Sequence, residues 1–321
     1  MKKVISVLVP TYNEEENVIP ISEAIIEQFT NHLPSYEYEL VFIDNCSTDT
    51  TQEKMQQLCA GNKNIKAIFN SKNFGQFNSP FYGMCQTSGE CTILMCADFQ
   101  DPPNLIPELV REWENGYKVV TAIKASSKEN KLLRFFRSCY YKLIKKMSAV
   151  EQIEHFTGTG LYDKSFVQVL RELDDSQPFL RGIVAELGPA KRKDVIYEQQ
   201  QRRAGKTHNN FYSLYDAAML SFTSYTKVGL RIATIAGMLL SGVGFSIALI
   251  YLIMKLVKWD SFAIGTAPIL IGLFLFSSVL LFFIGLLGEY VLNINTRIMK
   301  RPLVVEEKRI NFHKGEDEIC E

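Results

Sequence analysis

The residues best suited to chemistry lie in short polar clusters, each placed just after an apolar run. Thr11-Tyr12-Asn13-Glu14-Glu15 follows Val4 to Val9, Asp44-Asn45 follows Leu40 to Ile43, and Asp98-Phe99-Gln100-Asp101 follows Thr92 to Cys96. Carboxylates in such places could hydrogen-bond a ribose or a base. They could also hold a divalent ion, with magnesium or manganese favoured by hard oxygen ligands and by phosphates to bridge. Taken alone, Asp98 to Pro103 also reads as a capped turn, with Asp101 opening a helix through Pro102 and Pro103. The apolar strand before it favours the chemical reading. His32, His155, His208 and His313 are scattered without metal-ligand spacing and read as surface or core residues. The 7 cysteines include no CxxC pair, which argues against a zinc or thioredoxin-like site.

The elements that must position these clusters follow from periodicity. Five β-rich runs are expected: Val4 to Val9, Leu40 to Ile43, Ile65 to Phe69, Thr92 to Cys96 and Lys118 to Ile123. Helix-like stretches lie between them at Asn17 to Phe29, Asp49 to Cys59, Gly75 to Thr87 and Leu105 to Asn115. Alternation of this kind predicts βαβ units and a mainly parallel sheet covered on both faces. Ligands of such sheets bind beyond the carboxyl ends of the strands, where the polar clusters fall.

Basic and acidic residues balance at 35 each, so net charge argues neither for nor against a nucleic-acid partner. Their distribution is uneven. Charges crowd the first two-thirds of the chain, whereas Val228 to Val291 is almost wholly apolar. Two spans there, about 228–254 and 267–291, exceed the roughly 20 apolar residues that cross a bilayer core. Lys227, Arg231, Arg297, Lys300 and Arg301 flank the outer ends, which predicts both chain ends on the cytoplasmic side. The start of the chain shows no apolar signal segment, so the expectation is a catalytic part in a reducing cytosol. Between Lys124 and Lys146, 8 basic residues and Glu129 alternate with Leu132, Phe135, Phe136, Tyr140 and Tyr141. A basic amphipathic helix on an anionic membrane fits this segment, as do a solvated helix packed on the domain and, less well, a nucleic-acid contact. The residues from Glu306 onward are charged and aperiodic, and read as a flexible extension.

Four motifs in order make the pattern specific: Pro10-Thr11-Tyr12-Asn13-Glu14-Glu15, Phe42-Ile43-Asp44-Asn45, Asn73-Phe74-Gly75, and Ala97-Asp98-Phe99-Gln100-Asp101-Pro102-Pro103. With the C-terminal hairpin, they resemble glycosyltransferase family 2, and within it the polyprenyl-phosphate branch. The resemblance implies a GT-A type, Rossmann-like catalytic domain over residues 1–207, a juxtamembrane amphipathic helix at 208–227, two transmembrane helices within 228–297 and a cytoplasmic tail at 298–321. It implies a bacterial inner-membrane enzyme moving a hexose or N-acetylhexosamine, with inversion, from a nucleotide-sugar to a polyprenyl phosphate. Homo-oligomers occur among proteins with this hairpin.

By the same resemblance, Pro10, Tyr12, Glu14 and Asp44 would frame the nucleotide, and Asp98 with Gln100 would bind the metal. Arg202 and Lys206 would cover the phosphates, and Lys124 and Arg134 would hold the acceptor phosphate. The chain departs from the family pattern in three places. Cys96 and Asn45 stand where carboxylates are usual, and Thr157 to Tyr162 lacks an Asp proposed elsewhere as general base. These departures leave open a non-catalytic, degenerate transferase. A processive synthase fits less well, because Trp113 and Trp259 lie in no Gln-x-x-Arg-Trp motif.

Overall fold

A computed structural model of the chain describes residues 2–125, 153–173, 175, 177–205, 266–299 and 301–312, with scattered positions between 219 and 257. The chain divides into two units. The first comprises Met1–Tyr141, Val150–Asn210 and Met299–Glu321; the second comprises Lys142–Ala149 and Phe211–Ile298.

In the first unit the chain runs β1 (Lys3–Thr11), α1 (Val18–His32), β2 (Tyr36–Asp44), α2 (Thr51–Gly61), β3 (Ile65–Asn70), α3 (Gly75–Cys85), β4 (Cys91–Leu94), α4 (Leu105–Glu114) and β5 (Val119–Lys124). It continues with β6 (Phe156–Asp163), α5 (Lys164–Glu172), α6 (Leu180–Leu187) and β7 (Lys193–Tyr197). One 8-stranded sheet results, in the order β7-β5-β6-β4-β1-β2-β3-β8, where β8 is Glu306–Ile310. β1 pairs in parallel with β2 and β4, β2 with β3, and β5 with β7. β6 runs antiparallel between β4 and β5.

Burial explains why the central strands read as continuous apolar runs. Ile5, Val7, Val9, Leu40 and Phe42 join one core with Ile21 and Ile25 of α1, Met55 of α2 and Leu109 of α4. Leu8, Val41 and Ile43 point the other way, to Phe81 and Met84 of α3, Phe166 and Leu170 of α5 and Ile183 of α6. Alternate residues of one strand therefore serve opposite faces, and both faces are mostly apolar. This is the three-layer α/β arrangement of the GT-A type, with its mostly parallel sheet.

One sequence expectation is corrected. The charged segment after position 305 is ordered, with β8 pairing antiparallel to β3 at the sheet edge. Asn311 then donates to the carbonyls of Cys59 and Ile65, each at 2.8 Å, and the Phe312 ring lies under Lys66 and Arg309. An edge strand half open on both faces needs no apolar alternation, and its charges guard the edge against further pairing. Residues 313–321 lie outside the described residues. The alternative of Asp101 as a helix cap does not hold, and the expected helix start is observed. α4 begins four residues later at Leu105, and Asp101 turns inward.

In the second unit, α7 (Thr266–Ile298) is a single 33-residue helix covering the second apolar span. Among the described residues it is the one helix long and apolar enough to cross a membrane. Leu281, Phe282, Val291 and Leu292 on it are each at least 60% exposed. The first span, residues 228–254, the segment 208–227 and the basic segment beyond Ala125 lie outside the described residues apart from scattered positions.

Candidate active site

The site is built where β1, β2 and β4 end. Thr11 and Asp44 are register partners at the last rung of β1 and β2, so the loops that leave these strands start side by side. They are laced together. Asn13, in the left-handed region at φ 56°, donates its backbone N–H to Ser47 Oγ at 2.8 Å and accepts from Thr48 N at 2.8 Å. Glu14 N donates to Thr51 Oγ1 at 2.9 Å. Asp44 is fully buried. Its carboxylate accepts from Ser47 N at 2.9 Å, Gln52 Nε2 at 2.7 Å, Thr11 Oγ1 at 3.4 Å and the Ser47 hydroxyl. Four donors match the capacity of a carboxylate. Asp44 therefore organises the loop of residues 45–52, a role that its motif did not reveal.

Asn45 has an equally definite task. Its Nδ2 donates to Asn73 Oδ1 at 2.9 Å and to Gly75 O at 3.2 Å. Its Oδ1 accepts from Phe74 N at 2.9 Å and Asn70 Nδ2 at 3.2 Å. An aspartate would supply only acceptors here. The missing carboxylate is thus a bracket that ties the loop after β2 to the Asn73-Phe74-Gly75 turn.

Asp98, 4% exposed, lies just beyond β4. Arg202, in the segment after β7, reaches its Oδ2 at 2.9 Å and Glu14 Oε1 at 3.5 Å. The same segment is pinned by its backbone, Arg203 N donating to Asp98 O at 3.2 Å and Gln200 N to Gln100 O at 3.1 Å. Asn17 fastens the other side, donating to Glu14 Oε2 at 2.6 Å and to Ala204 O at 3.3 Å. One guanidinium therefore bridges carboxylates delivered by β1 and β4. Phe99 takes a left-handed φ of 61°, unusual for a bulky side chain, which turns the chain between Asp98 and Gln100. The Arg203 guanidinium lies 5.2 Å from the centre of its ring.

On the β5 side, Asp101 accepts from Thr159 Oγ1 at 2.5 Å and from the Tyr197 hydroxyl. Burial first, and then the Asp101 carboxylate, push the Tyr197 phenol far up, so it stays a donor. The Cys96 side chain is exposed at the surface, with surrounding protein crowding its sulfur. Burial and then the charges of Asp101 and Asp98 push its thiol well up, which keeps it neutral. A neutral thiol is a poor partner for a hard cation. Among the described residues no group of three or more His, Cys, Asp and Glu side chains could hold a metal. The donor set here is one carboxylate, Asp98, with the amide oxygen of Gln100, which already accepts from Gln199 Nε2 at 3.1 Å. That set fits an ion that shares its coordination with a nucleotide's phosphates, as magnesium commonly does.

Of the residues singled out from sequence, Glu14, Asp98, Gln100 and Arg202 come together. Pro10 and Tyr12 end β1 and begin its loop, partly exposed beside them. Lys124 ends β5 on the far side of β4 from β1, partly buried. Lys206 and Arg134 lie outside the described residues. The roles of Tyr197, Thr159 and Asn17 were not anticipated, since nothing in a single sequence marks a hydroxyl or an amide as the partner of a distant carboxylate.

The Glycosyl transferase family 2 profile matches residues 6–171, from the first strand to α5. A Bacillus subtilis protein named uncharacterized glycosyltransferase YkcC is 31% identical over 305 residues, covering 94% of this chain and 93% of its own. An Escherichia coli protein named prophage bactoprenol glucosyl transferase homolog is 30% identical over 299 residues, covering 93% of this chain and 96% of its own. Among solved structures, glucosyl-3-phosphoglycerate synthase from Mycobacterium tuberculosis with Mn2+, UDP-glucose and phosphoglyceric acid is 15% identical, with a TM-score of 0.49 over 69% of this chain and 78% of that one. The strand-end carboxylates, the loop that closes on them and relatives matching almost end to end agree on one conclusion: the chain belongs to glycosyltransferase family 2 and is a transferase enzyme.

Proposed function

We propose that this enzyme transfers a hexose or N-acetylhexosamine from a UDP-sugar to undecaprenyl phosphate or a related polyprenyl phosphate, at the cytoplasmic face of a bacterial inner membrane. The observation that carries this reading is the Glu14–Arg202–Asp98 bridge, a cation held between two carboxylates where a nucleotide's diphosphate would leave. The relatives named for bactoprenol support the lipid acceptor. The exposed apolar surface of α7 supports a membrane anchor, completed as a hairpin by the span at 228–254, with both chain ends cytoplasmic.

The chemistry is a single displacement. A phosphate oxygen of the acceptor attacks the anomeric carbon while the bond from that carbon to the diphosphate breaks, and the electron pair leaves with the nucleotide. Attack from the opposite face inverts the anomeric centre. A phosphate monoester has its second pKa near 6, so the nucleophile is already largely ionised at neutral pH. The absence of a carboxylate in Thr157 to Tyr162 suits this acceptor better than a sugar hydroxyl, which would need a base. Arg202, joined by Lys206, exchanges its hold on Asp98 for the diphosphate and meets the charge that develops there. Asp98 and Gln100 would hold Mg2+ or Mn2+, which supplies further neutralisation of that charge when bound.

The test is direct: purified full-length protein, a panel of labelled UDP-sugars, undecaprenyl phosphate, and manganese or a chelator. At least one donor should yield a lipid-linked sugar with wild type and manganese, and the product should vanish with chelator or Asp98→Ala. No product from any donor, or an Asp98→Ala variant as active as wild type, would sink the reading.

A further inference from the structure

We propose that Arg181 joins Lys124 in the subsite for the acceptor's phosphate monoester, an inference that rests on the transfer reading above. The two residues come from separate parts of the chain. Lys124 ends β5, and Ile123 beside it is the register partner of Phe156 at the start of β6. Two residues further on is Gly158, where an added Cβ would lie 3.9 Å from Leu180 Cδ2 at the start of α6. Arg181 follows Leu180. The ends of β5, β6 and α6 therefore converge, and the charges of Lys124 and Arg181 act on each other.

Arg181 is held in place by aromatic packing. Its guanidinium lies 5.6 Å from the centre of the Phe179 ring, which meets Phe77 of α3 edge-on at 5.5 Å. Both cations are partly open to solvent. Burial pulls the Lys124 ammonium below its ordinary pKa; Asp101 opposes that effect, and Arg181 adds to it. Like charges that act on each other repel, and a dianion bound by both relieves the repulsion. Asp101, the carboxylate acting most strongly on Lys124, has its two oxygens engaged by Thr159 and Tyr197.

The sheet order assigns this pair to the acceptor rather than the donor. β5 lies beyond β4 and β6 from β1 and β2, whereas Arg202 joins Glu14 to Asp98 on the β1 side. An in-line displacement needs two anions on opposite sides of the anomeric carbon, the leaving diphosphate and the attacking phosphate.

The experiment compares wild type, Arg181→Gln and Arg181→Lys, full length in detergent, with undecaprenyl phosphate and the donor that the panel identifies. Loss of a charge-assisted contact made in ground and transition states should raise the acceptor KM about tenfold or more in Arg181→Gln. The donor KM should stay within about twofold, and Arg181→Lys should recover part of the loss. An acceptor KM within about twofold of wild type in Arg181→Gln, or a donor KM that rises in step with it, overturns the assignment. If Arg181→Gln does not fold, Arg181→Lys carries the test. Its altered donor geometry should raise the acceptor KM alone, and an unchanged value overturns the proposal. Wild type that makes no lipid-linked sugar removes the transfer reading itself, whereas active wild type with unaffected Arg181 variants removes only this subsite.

Discussion

Replacing Asn45 with the aspartate of the family pattern should damage this protein. Asn45 is 8% exposed and makes four hydrogen bonds, two through Nδ2 and two through Oδ1. In Asn45→Asp the two acceptances survive, and as charge-assisted bonds they strengthen. The two donations vanish, at about 1 kcal/mol each. A carboxylate oxygen is then pressed against Asn73 Oδ1 and Gly75 O in a poorly solvated pocket, which adds about 1–3 kcal/mol. The strengthened pair returns about 1 kcal/mol, leaving a net loss of roughly 2–4 kcal/mol. For a domain of this size that lowers Tm by about 5–12 °C. The assay is thermal unfolding of full-length wild type and Asn45→Asp in the same detergent, followed by far-UV circular dichroism. A Tm unchanged within about 1 °C would refute the claim that the amide is required as a donor, and Asn45 would revert to a simple lost carboxylate.

Arg202→Gln should separate binding from turnover. Freeing Asp98 should tighten Mn2+ binding measured without nucleotide by titration calorimetry, while kcat falls about 100-fold because charge on the leaving diphosphate goes unmet. The buried Glu39–Lys66 pair, at 2.7 Å, predicts a pH effect. Burial pushes the Glu39 carboxyl up, but Lys66, Ser6 and Ser88 outweigh it, so the folded pKa lies below the ordinary value. Its stabilising contribution is full above the unfolded pKa and disappears as pH falls through the folded one. Glu39→Gln should therefore flatten the acid limb of the stability profile, and should cost about 3–5 kcal/mol at neutral pH by stranding Lys66, as read from denaturant unfolding.

Much of the fold was legible because burial on both faces imposes near-continuous apolar runs. Val4 to Val9, Leu40 to Ile43 and Ile65 to Phe69 were read as strands and lie within β1, β2 and β3. The elements of the first unit after Lys124 were not anticipated. β6 carries Gly158 and Gly160 within Phe156-Thr157-Gly158-Thr159-Gly160, residues that seldom mark a strand, and it runs against its neighbours. β8 reads Glu-Glu-Lys-Arg-Ile, a charged string that becomes a strand because β3 offers it an open edge.

The sequence alone determined the positions of the strand ends and hence the carboxylates, Glu14, Asp44 and Asp98, that meet there. Hydrophobic period and chain order suffice for that, since each strand of a parallel sheet delivers its last residue to the same edge. Only the tertiary structure decided what those groups do. It turned Asp44 inward to hold a loop and made Asn45 a two-way bracket between turns. It brought Arg202 onto Asp98 and Glu14 from more than a hundred residues away in sequence. Each assignment depends on which partner lies within about 3 Å, and hydrogen bonds and ion pairs between distant segments leave no period in a sequence.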